Sequence, residues 1–191
     1  MRYKTIRLVL LSCCAPCSCG AIKQLRTGCQ RLEIGNRKPK TLISDFIVLF
    51  FNPNIYPESE YQKRLAEQIK YCESMGVKHA VGNYNHDEWL DAIRGLESEP
   101  ERGKRCSECF RHRFKFAQKF ALENGYNAIA SVLGVSRHKD QSQVDAAAAA
   151  VISGLMYMPI EWDKKQQSEI LNNESFYRQN YCGCEFSIRK V

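Results

Sequence analysis

The sequence predicts one α/β domain over residues 1–191, in which a mainly parallel β-sheet carries helices on both faces. Short apolar segments alternate with amphipathic segments along the chain, and this alternation is typical of β-α-β units. Hydrophobic residues make up 44% of the 191 residues, which is enough for one buried core. The chain has no linker, repeat or low-complexity tract that would divide it.

The first half of the chain is predicted to contain three strands and two helices. In order they are a strand at 5–12, a short helix at 19–26, a strand at 43–51, a helix at 58–74 and a strand at 77–84. The first strand is rich in Leu, Val and Ile and ends directly in a loop of cysteines. Pro53 ends the second strand because proline forbids further pairing, and Gly76 supplies the residue that closes the 58–74 helix.

The second half continues the alternation. Its elements are helices at 87–96 and 107–124, a strand at 127–133, a helix at 141–153, a strand at 157–162 and a final polar helix. Asn85 or Asp87 caps the first of these helices, Gly125 ends the second, and an alanine run at 146–150 favours the third. Ligands of parallel sheets bind outside the carboxyl ends of the strands, so we expect a metal site at that edge.

Eight of the ten cysteines stand in three groups near the start, the middle and the end of the chain. The N-terminal group is Cys13, Cys14, Cys17 and Cys19, the middle pair is Cys106 and Cys109, and the C-terminal pair is Cys182 and Cys184. Such grouping indicates either metal ligation or disulfides. The chain is too long for a typical disulfide scaffold, and from its apolar runs we expect neither a secretory signal nor a membrane span. We therefore expect a cytoplasmic protein whose reduced thiols bind metal.

The number of thiols exceeds what one metal site needs. Four ligands close a structural zinc site, and four thiolates also hold an iron–sulfur cluster. Neighbouring cysteines such as Cys13 and Cys14 rarely chelate one ion, but they can ligate two adjacent centres. Gly183 gives the C-terminal pair the same freedom, whereas the middle pair has the spacing of an ordinary chelate at the beginning of a helix. The sequence thus favours two neighbouring metal centres.

Longer motifs around the cysteines resemble one known family. They are Cys-Cys-Ala-Pro-Cys-Ser-Cys at 13–19, Phe-Asn-Pro-Asn-Ile at 51–55, Glu-Trp-Leu at 88–90, Gly-Lys-Arg-Cys at 103–106 with Cys109, Phe110 and Arg113, Asp-Gln at 140–141, and the segment 177–187. In this order they resemble the cobalamin-independent epoxyqueuosine reductases, called QueH. The resemblance implies an oxidoreductase that reduces the epoxide of epoxyqueuosine in tRNA to the alkene of queuosine, the last step of queuosine biosynthesis. It also implies a 4Fe–4S cluster beside a mononuclear iron. An unidentified low-potential donor is expected to supply the electrons.

Each cysteine group then has an expected role. The middle pair is expected to bind the cluster, and the C-terminal pair, like Cys13 and Cys14, is expected to serve both metals. Cys17 follows a proline that stiffens the loop, and we assign it to the second iron, where it takes part in catalysis. Cys19 is expected to face the following helix. Asp140 is the candidate acid for the epoxide oxygen, although a helix N-cap is an equally good interpretation.

The charge of the chain favours an anionic partner such as tRNA. The net charge is +7 and the isoelectric point is about 8.9. Arg37, Lys38, Arg111 and Arg113 are the expected RNA contacts, and Tyr181 is a ring on which a base could stack. A solvated helix face is the alternative interpretation of the arginines.

Two other functions fit parts of the sequence. A non-catalytic zinc-binding RNA protein would share the cysteines and the positive charge, but a closed zinc site has no use for the surplus thiols. An iron–sulfur tRNA sulfur-transfer enzyme would share the fold, but it needs a Gly/Ser-rich phosphate loop after the first strand. This chain has cysteines and a proline there.

Overall fold

Strand β1 (Lys4–Ser12) lies at the centre of the sheet because both of its faces are apolar. All four residues from Leu8 to Leu11 are fully buried in the computed structural model, which describes residues 4–27 and 41–188. A strand with no polar face is typical of a parallel sheet that is covered on both sides. Arg37 and Lys38, two of the expected RNA contacts, lie outside the described residues.

The described residues form one five-stranded sheet in the order β3-β2-β1-β4-β5, and every neighbouring pair is parallel. The remaining strands are β2 (Thr41–Phe50), β3 (His79–Val81), β4 (Ala128–Ser131) and β5 (Met156–Tyr157). Because sequentially distant β1 and β4 are neighbours, the strand order changes direction between them. In such sheets a crevice opens at this point, outside the carboxyl ends of the strands. The predicted α/β architecture is confirmed.

Six α-helices in the described part of the chain cover the sheet. They are α1 (Ala15–Thr27), α2 (Glu58–Ser74), α3 (His86–Ala92), α4 (Lys104–Glu123), α5 (Gln141–Ala149) and α6 (Lys164–Asn173). Helix α1 packs against α2 and α6, whereas α4 packs against α3 and α5, so the helices fall into two groups. None of the helices in the described part of the chain is long and apolar enough to cross a membrane.

Several predicted boundaries are wrong, and one difference concerns the cysteines. Helix α1 begins at Ala15 rather than at Cys19, so Cys17 and Cys19 lie on a helix and not in a loop. Pro16 does not prevent this, because an amide hydrogen in the first turn of a helix has no intrahelical partner to lose. The strands predicted at 77–84 and 157–162 are shorter, since both lie at the sheet edges and pair with only one neighbour.

The carboxyl edge of the sheet gathers the segments that carry chemistry. Strand β1 ends one residue before Cys13, and β4 leads through a short 3-10 helix (Leu133–Val135) into Lys139 and Asp140. Strand β2 ends at Phe50, which Asn52 follows. The Asn52 side chain donates a 3.0 Å hydrogen bond to the carbonyl of Ser12, so the ends of β1 and β2 are tied together.

Candidate metal centre

Three thiols of the N-terminal group form a buried triad. The sulfurs of Cys13, Cys14 and Cys17 all lie within 4.8 Å of one another, and those of Cys13 and Cys14 are 3.9 Å apart. Cys14 immediately precedes α1, and Cys17 follows three residues later, which places both thiols on one face of the first turn. Cys13 and Cys14 thus face one common site. Cys19 lies apart from it and donates its S–H to the carbonyl of Pro16 at 3.5 Å.

The triad favours a bound cation. The pKa of Cys13 lies well below that of an ordinary thiol because Cys14 and Cys17 donate S–H bonds to its sulfur, with help from the charges of Lys139 and Arg113. The same hydrogen bonding to Cys13 raises the pKa of Cys14 to about 12 and holds that of Cys17 well above the usual range. Cys13 is therefore the most acidic thiol of the triad. A soft, thiophilic metal would take up all three sulfurs and displace the remaining protons.

A polar network holds the backbone around the triad. The buried Gln68 of α2 accepts hydrogen bonds through its Oε1 from the hydroxyls of Ser12, at 2.7 Å, and Ser18, at 2.9 Å. These two serines lie on either side of the triad in the sequence, so one amide fixes both ends of the segment. Gln179 donates to the sulfur of Cys14 at 3.1 Å, which anchors the C-terminal segment to the same site.

The other four clustered thiols lie outside the triad, which is the one set of three or more candidate metal ligands within 4.8 Å of one another among the described residues. Cys106 and Cys109 lie in the first two turns of α4, and Cys109 shares a small apolar cluster with Cys184, Trp89 and Ile93. Burial raises the pKa of Cys109 to about 12 and also raises the pKa values of Cys106 and Cys184. The charge of Cys182 raises all three further, so it lies within electrostatic range of each.

Lys139 lies beside the triad. Its side chain is buried, and its ammonium nitrogen lies 3.9 Å from the sulfur of Cys13. Burial alone would lower the pKa of this lysine, but the charges of Cys13, Cys182 and Cys17 raise it above its usual value. The ammonium group therefore lies beside the triad, and the charge of Cys182 also acts on it. The sequence draws attention to Asp140 and not to this lysine, because lysines are rarely buried.

Asp140 caps helix α5. Its carboxylate accepts hydrogen bonds from the hydroxyl of Ser142 and, at 2.8 Å, from the backbone N–H of Gln143. Because these donors stabilise the charged form, the pKa of Asp140 lies below its usual value. At neutral pH the group is a carboxylate without a proton to give. The geometry favours the N-cap interpretation over the role of a general acid.

One predicted RNA contact needs correction. Arg113 is fully buried; its Nε donates to the carbonyl of Phe51 at 3.1 Å, and its Nη2 donates to Asn52. Its neighbours on the same face of α4 are Phe110 and Phe114, so the helix turns the guanidinium into the interior. From this position Arg113 cannot contact RNA, and its charge instead acts on the cysteines.

The other predicted RNA contacts within the described residues have partners in the protein. Arg111 is partly exposed and pairs with Glu108 on the same helix. Tyr181 donates its hydroxyl to the carbonyl of Tyr56 at 2.7 Å, and the Arg64 guanidinium lies 5.2 Å from the centre of its ring. One face of the Tyr181 ring is thus covered by a cation.

Gly183 lies between Cys182 and Cys184 and has a backbone conformation that other residues adopt only with strain. Its φ is +119°, and an added Cβ would lie 2.9 Å from Nη1 of Arg64 and 3.2 Å from Cγ1 of Ile55. We expect Gly183→Ala to lower the free energy of unfolding by about 1–3 kcal/mol and to reduce the bound metal, because Cys182 and Cys184 must move. Urea unfolding and metal analysis measure the two effects.

Gly154→Ala is the matched control for Gly183→Ala. Gly154 also has a positive φ, +72°, but nothing lies within 4 Å of the added Cβ. This variant should lose stability while keeping its metal. If Gly183→Ala binds as much metal as Gly154→Ala, the glycine does not position the C-terminal pair.

The comparisons with known proteins are consistent with this geometry. A family model described as epoxyqueuosine reductase QueH matches residues 8–190. This chain belongs to the QueH family. Proteins named epoxyqueuosine reductase QueH from Histophilus somni (strain 129Pt) and Acinetobacter baylyi (strain ATCC 33305 / BD413 / ADP1) are 37% and 36% identical to it. Each similarity covers 96% of this chain, and 72% and 81% of the respective relative. The QueH resemblance of the sequence is confirmed, and the match spans all three cysteine groups.

Two solved structures have a fold similar to that of this chain. The U34-tRNA thiolase NcsA from Methanococcus maripaludis, solved with its [4Fe-4S] cluster, has a TM-score of 0.57 and 15% identity, covering 96% of this chain and 62% of that one. A predicted tRNA methyltransferase subunit from Methanocaldococcus jannaschii has a TM-score of 0.52 and 11% identity, covering 87% and 74% of the two chains. At such identities the likeness is one of fold alone.

Proposed function

We propose that this protein reduces the epoxide of epoxyqueuosine in tRNA to the alkene of queuosine, with an iron–sulfur cluster bound by its grouped cysteines. The observation that carries the proposal is the buried triad of Cys13, Cys14 and Cys17 at the carboxyl edge of the sheet, in a chain whose match to the QueH family spans all three cysteine groups. The alternative of a closed zinc site leaves several of the eight grouped cysteines without a role, since zinc needs four ligands.

The sulfur groups fit two adjacent centres. The middle pair and the C-terminal pair supply four thiols, the number that a 4Fe–4S cluster requires. The triad of Cys13, Cys14 and Cys17 supplies three, which suits a mononuclear iron that keeps a position free for substrate. Cys182 lies within electrostatic range of both Lys139 and the middle pair, so it is the thiol best placed to serve either metal.

The reaction removes one oxygen atom and consumes two electrons and two protons, with water as the second product. When bound, the cluster would supply electrons one at a time and an open iron would polarise the epoxide oxygen. Lys139 keeps its positive charge beside Cys13 and stabilises negative charge that develops on the leaving oxygen. Asp140 remains a carboxylate that fixes the beginning of α5 and thereby the segment carrying Lys139.

The direct test is conversion of epoxyqueuosine. Protein reconstituted anaerobically with iron and sulfide, then given epoxyqueuosine-containing tRNA and a low-potential reductant, should form queuosine without cobalamin. The reductant stands in for the physiological electron donor, and mass spectrometry of the digested nucleosides measures the product. A portion of the same preparation loaded with zinc serves as the control and should be inactive. The proposal fails if the iron-loaded protein leaves the epoxide intact while a known epoxyqueuosine reductase converts it in parallel.

A further inference from the structure

A polar cleft of about 560 Å³ is lined by residues from three segments that carry candidate site residues. It is lined by Glu101, Arg102, Arg137, His138 and Asn180. These residues belong to the three segments that carry the cysteines and Lys139. The backbone N–H of Arg102 donates to the sulfur of Cys106 at 3.2 Å, His138 precedes Lys139, and Asn180 lies two residues before Cys182. We call this feature the entrance cleft, because its lining residues are close in the chain to Cys106, Lys139 and Cys182.

The walls of the entrance cleft carry two exposed guanidinium groups. Arg102 donates from Nη2 to the carbonyl of Arg137 at 2.6 Å, so its side chain is held across the cleft. The single carboxylate among the lining residues, that of Glu101, lies 3.5 Å from Nδ1 of His138. With two arginines against one acid, the cleft attracts anions.

Arg102 is held in place by more than its side chain. It has φ of +67°, the one positive φ of a residue other than glycine within residues 4–27 and 41–188. Gln143 of α5 donates to the carbonyls of Arg102 and Gly103, each at 3.0 Å, and to the hydroxyl of Ser107 at 2.8 Å. A strained backbone that its surroundings hold so firmly is characteristic of functional sites.

We infer that the entrance cleft admits the modified nucleotide, and that Arg102 and Arg137 bind the phosphodiester groups next to it. The inference rests on the proposed tRNA substrate. The cleft volume suits a small-molecule ligand the size of one nucleotide. A base in an RNA loop must leave its stack to reach a buried centre, and the phosphates on either side then need fixed cationic partners. Guanidinium groups suit this task because their paired N–H donors match phosphate oxygens.

The test measures RNA binding rather than turnover. Arg102→Gln, Arg137→Gln and the double variant are compared with wild type, all loaded with metal, on an anticodon stem-loop that carries an unmodified guanosine at the wobble position. We expect each single variant to bind about tenfold more weakly and to reduce the dependence of log affinity on log salt by about 0.7, the value for one phosphate of single-stranded RNA. Iron content and thermal unfolding should match wild type.

Lys119→Gln is the control variant. Lys119 lies on α4, thirteen residues and therefore about 20 Å along the helix from Cys106, and its nearest acidic partner is Glu123. Its loss should leave affinity and salt dependence unchanged. Wild-type affinity in the double variant would overturn the inference, and so would weaker binding with an unchanged salt dependence. Because the stem-loop has no epoxide, this result is independent of whether the protein forms queuosine.

Discussion

Cys106→Ala is expected to lose the cluster spectrum and all turnover, whereas Cys17→Ala is expected to keep most of the spectrum and lose turnover. Cys106 lies in the first turn of α4 with Cys109, in the group of four thiols that suits the cluster. Cys17 lies in the triad, whose sulfurs are within 4.8 Å of one another. If the triad binds the proposed second iron, removing one of its three thiols disturbs that iron but leaves four thiols for the cluster. Visible absorbance and iron per chain, measured anaerobically, report the first effect, and queuosine formation reports the second.

Cys19→Ala provides a matched control for this comparison. Cys19 is a buried thiol on the same helix, two residues beyond Cys17, yet it lies outside the triad and binds the Pro16 carbonyl. It should keep both the spectrum and turnover. If Cys17→Ala bleaches the cluster as completely as Cys106→Ala, Cys17 is a cluster ligand and its assignment to a separate metal is wrong.

The sequence predicts the architecture well because the apolar pattern reports burial directly. The continuous apolar run of β1 predicts a strand covered on both faces, and Leu8 to Leu11 are indeed fully buried. The ends of β3 and β5 are harder to predict from sequence, because the length of an edge strand depends on where its one neighbour stops pairing. Neighbouring-strand contacts of this kind are not encoded in local composition.

The wrong predictions at the site concern residues whose surroundings depend on helix position or on the fold, and local composition does not show either. Arg113 belongs to a helix face with Phe110 and Phe114, and that spacing places it among buried residues although arginine is usually exposed. Pro16 marks the first turn of α1 as readily as it marks a rigid loop, so Cys17 lies on a helix. Lys139 carries no local signal, since only the fold brings the end of β4 to the end of β1.

Buried cations surround the cysteines. Arg64, Arg105 and Arg113 are at most 3% exposed, and Lys139 is 7% exposed. Arg64 pairs with Glu60 at 2.7 Å, but Arg105 and Arg113 bind neutral oxygen atoms and Lys139 approaches the sulfur of Cys13. Burying a charged group without a counter-charge costs on the order of several kcal/mol in lost solvation. The thiolates of a metal-loaded site supply the missing negative charge.

Lys139→Met is therefore expected to shift the reduction potential of the loaded centre to more negative values. Removing a positive charge makes it harder to add an electron nearby. A charge pair at the 3.9 Å separation of Lys139 Nζ and Cys13 Sγ interacts by on the order of 4 kcal/mol at an effective dielectric constant of 20. Even a third of that energy corresponds to about a tenfold loss of rate, so turnover should fall at least that far. Anaerobic redox titration measures the potential, and single-turnover queuosine formation measures the rate.

Lys139→Arg separates the charge of this residue from its packing. Arginine keeps the positive charge but not the shape of the lysine, whereas methionine keeps much of the shape without the charge. If charge is what matters, the arginine variant stays closer to wild type in potential than the methionine variant, even where both lose some stability. Equal potentials in wild type and Lys139→Met, at equal iron content, would show that the lysine only fills space beside the triad. The negative charge of the thiolates would then have to be balanced by Arg113 and Arg64. The charge of Arg113 lowers the pKa of Cys13, and the charge of Cys13 raises the pKa of Arg64.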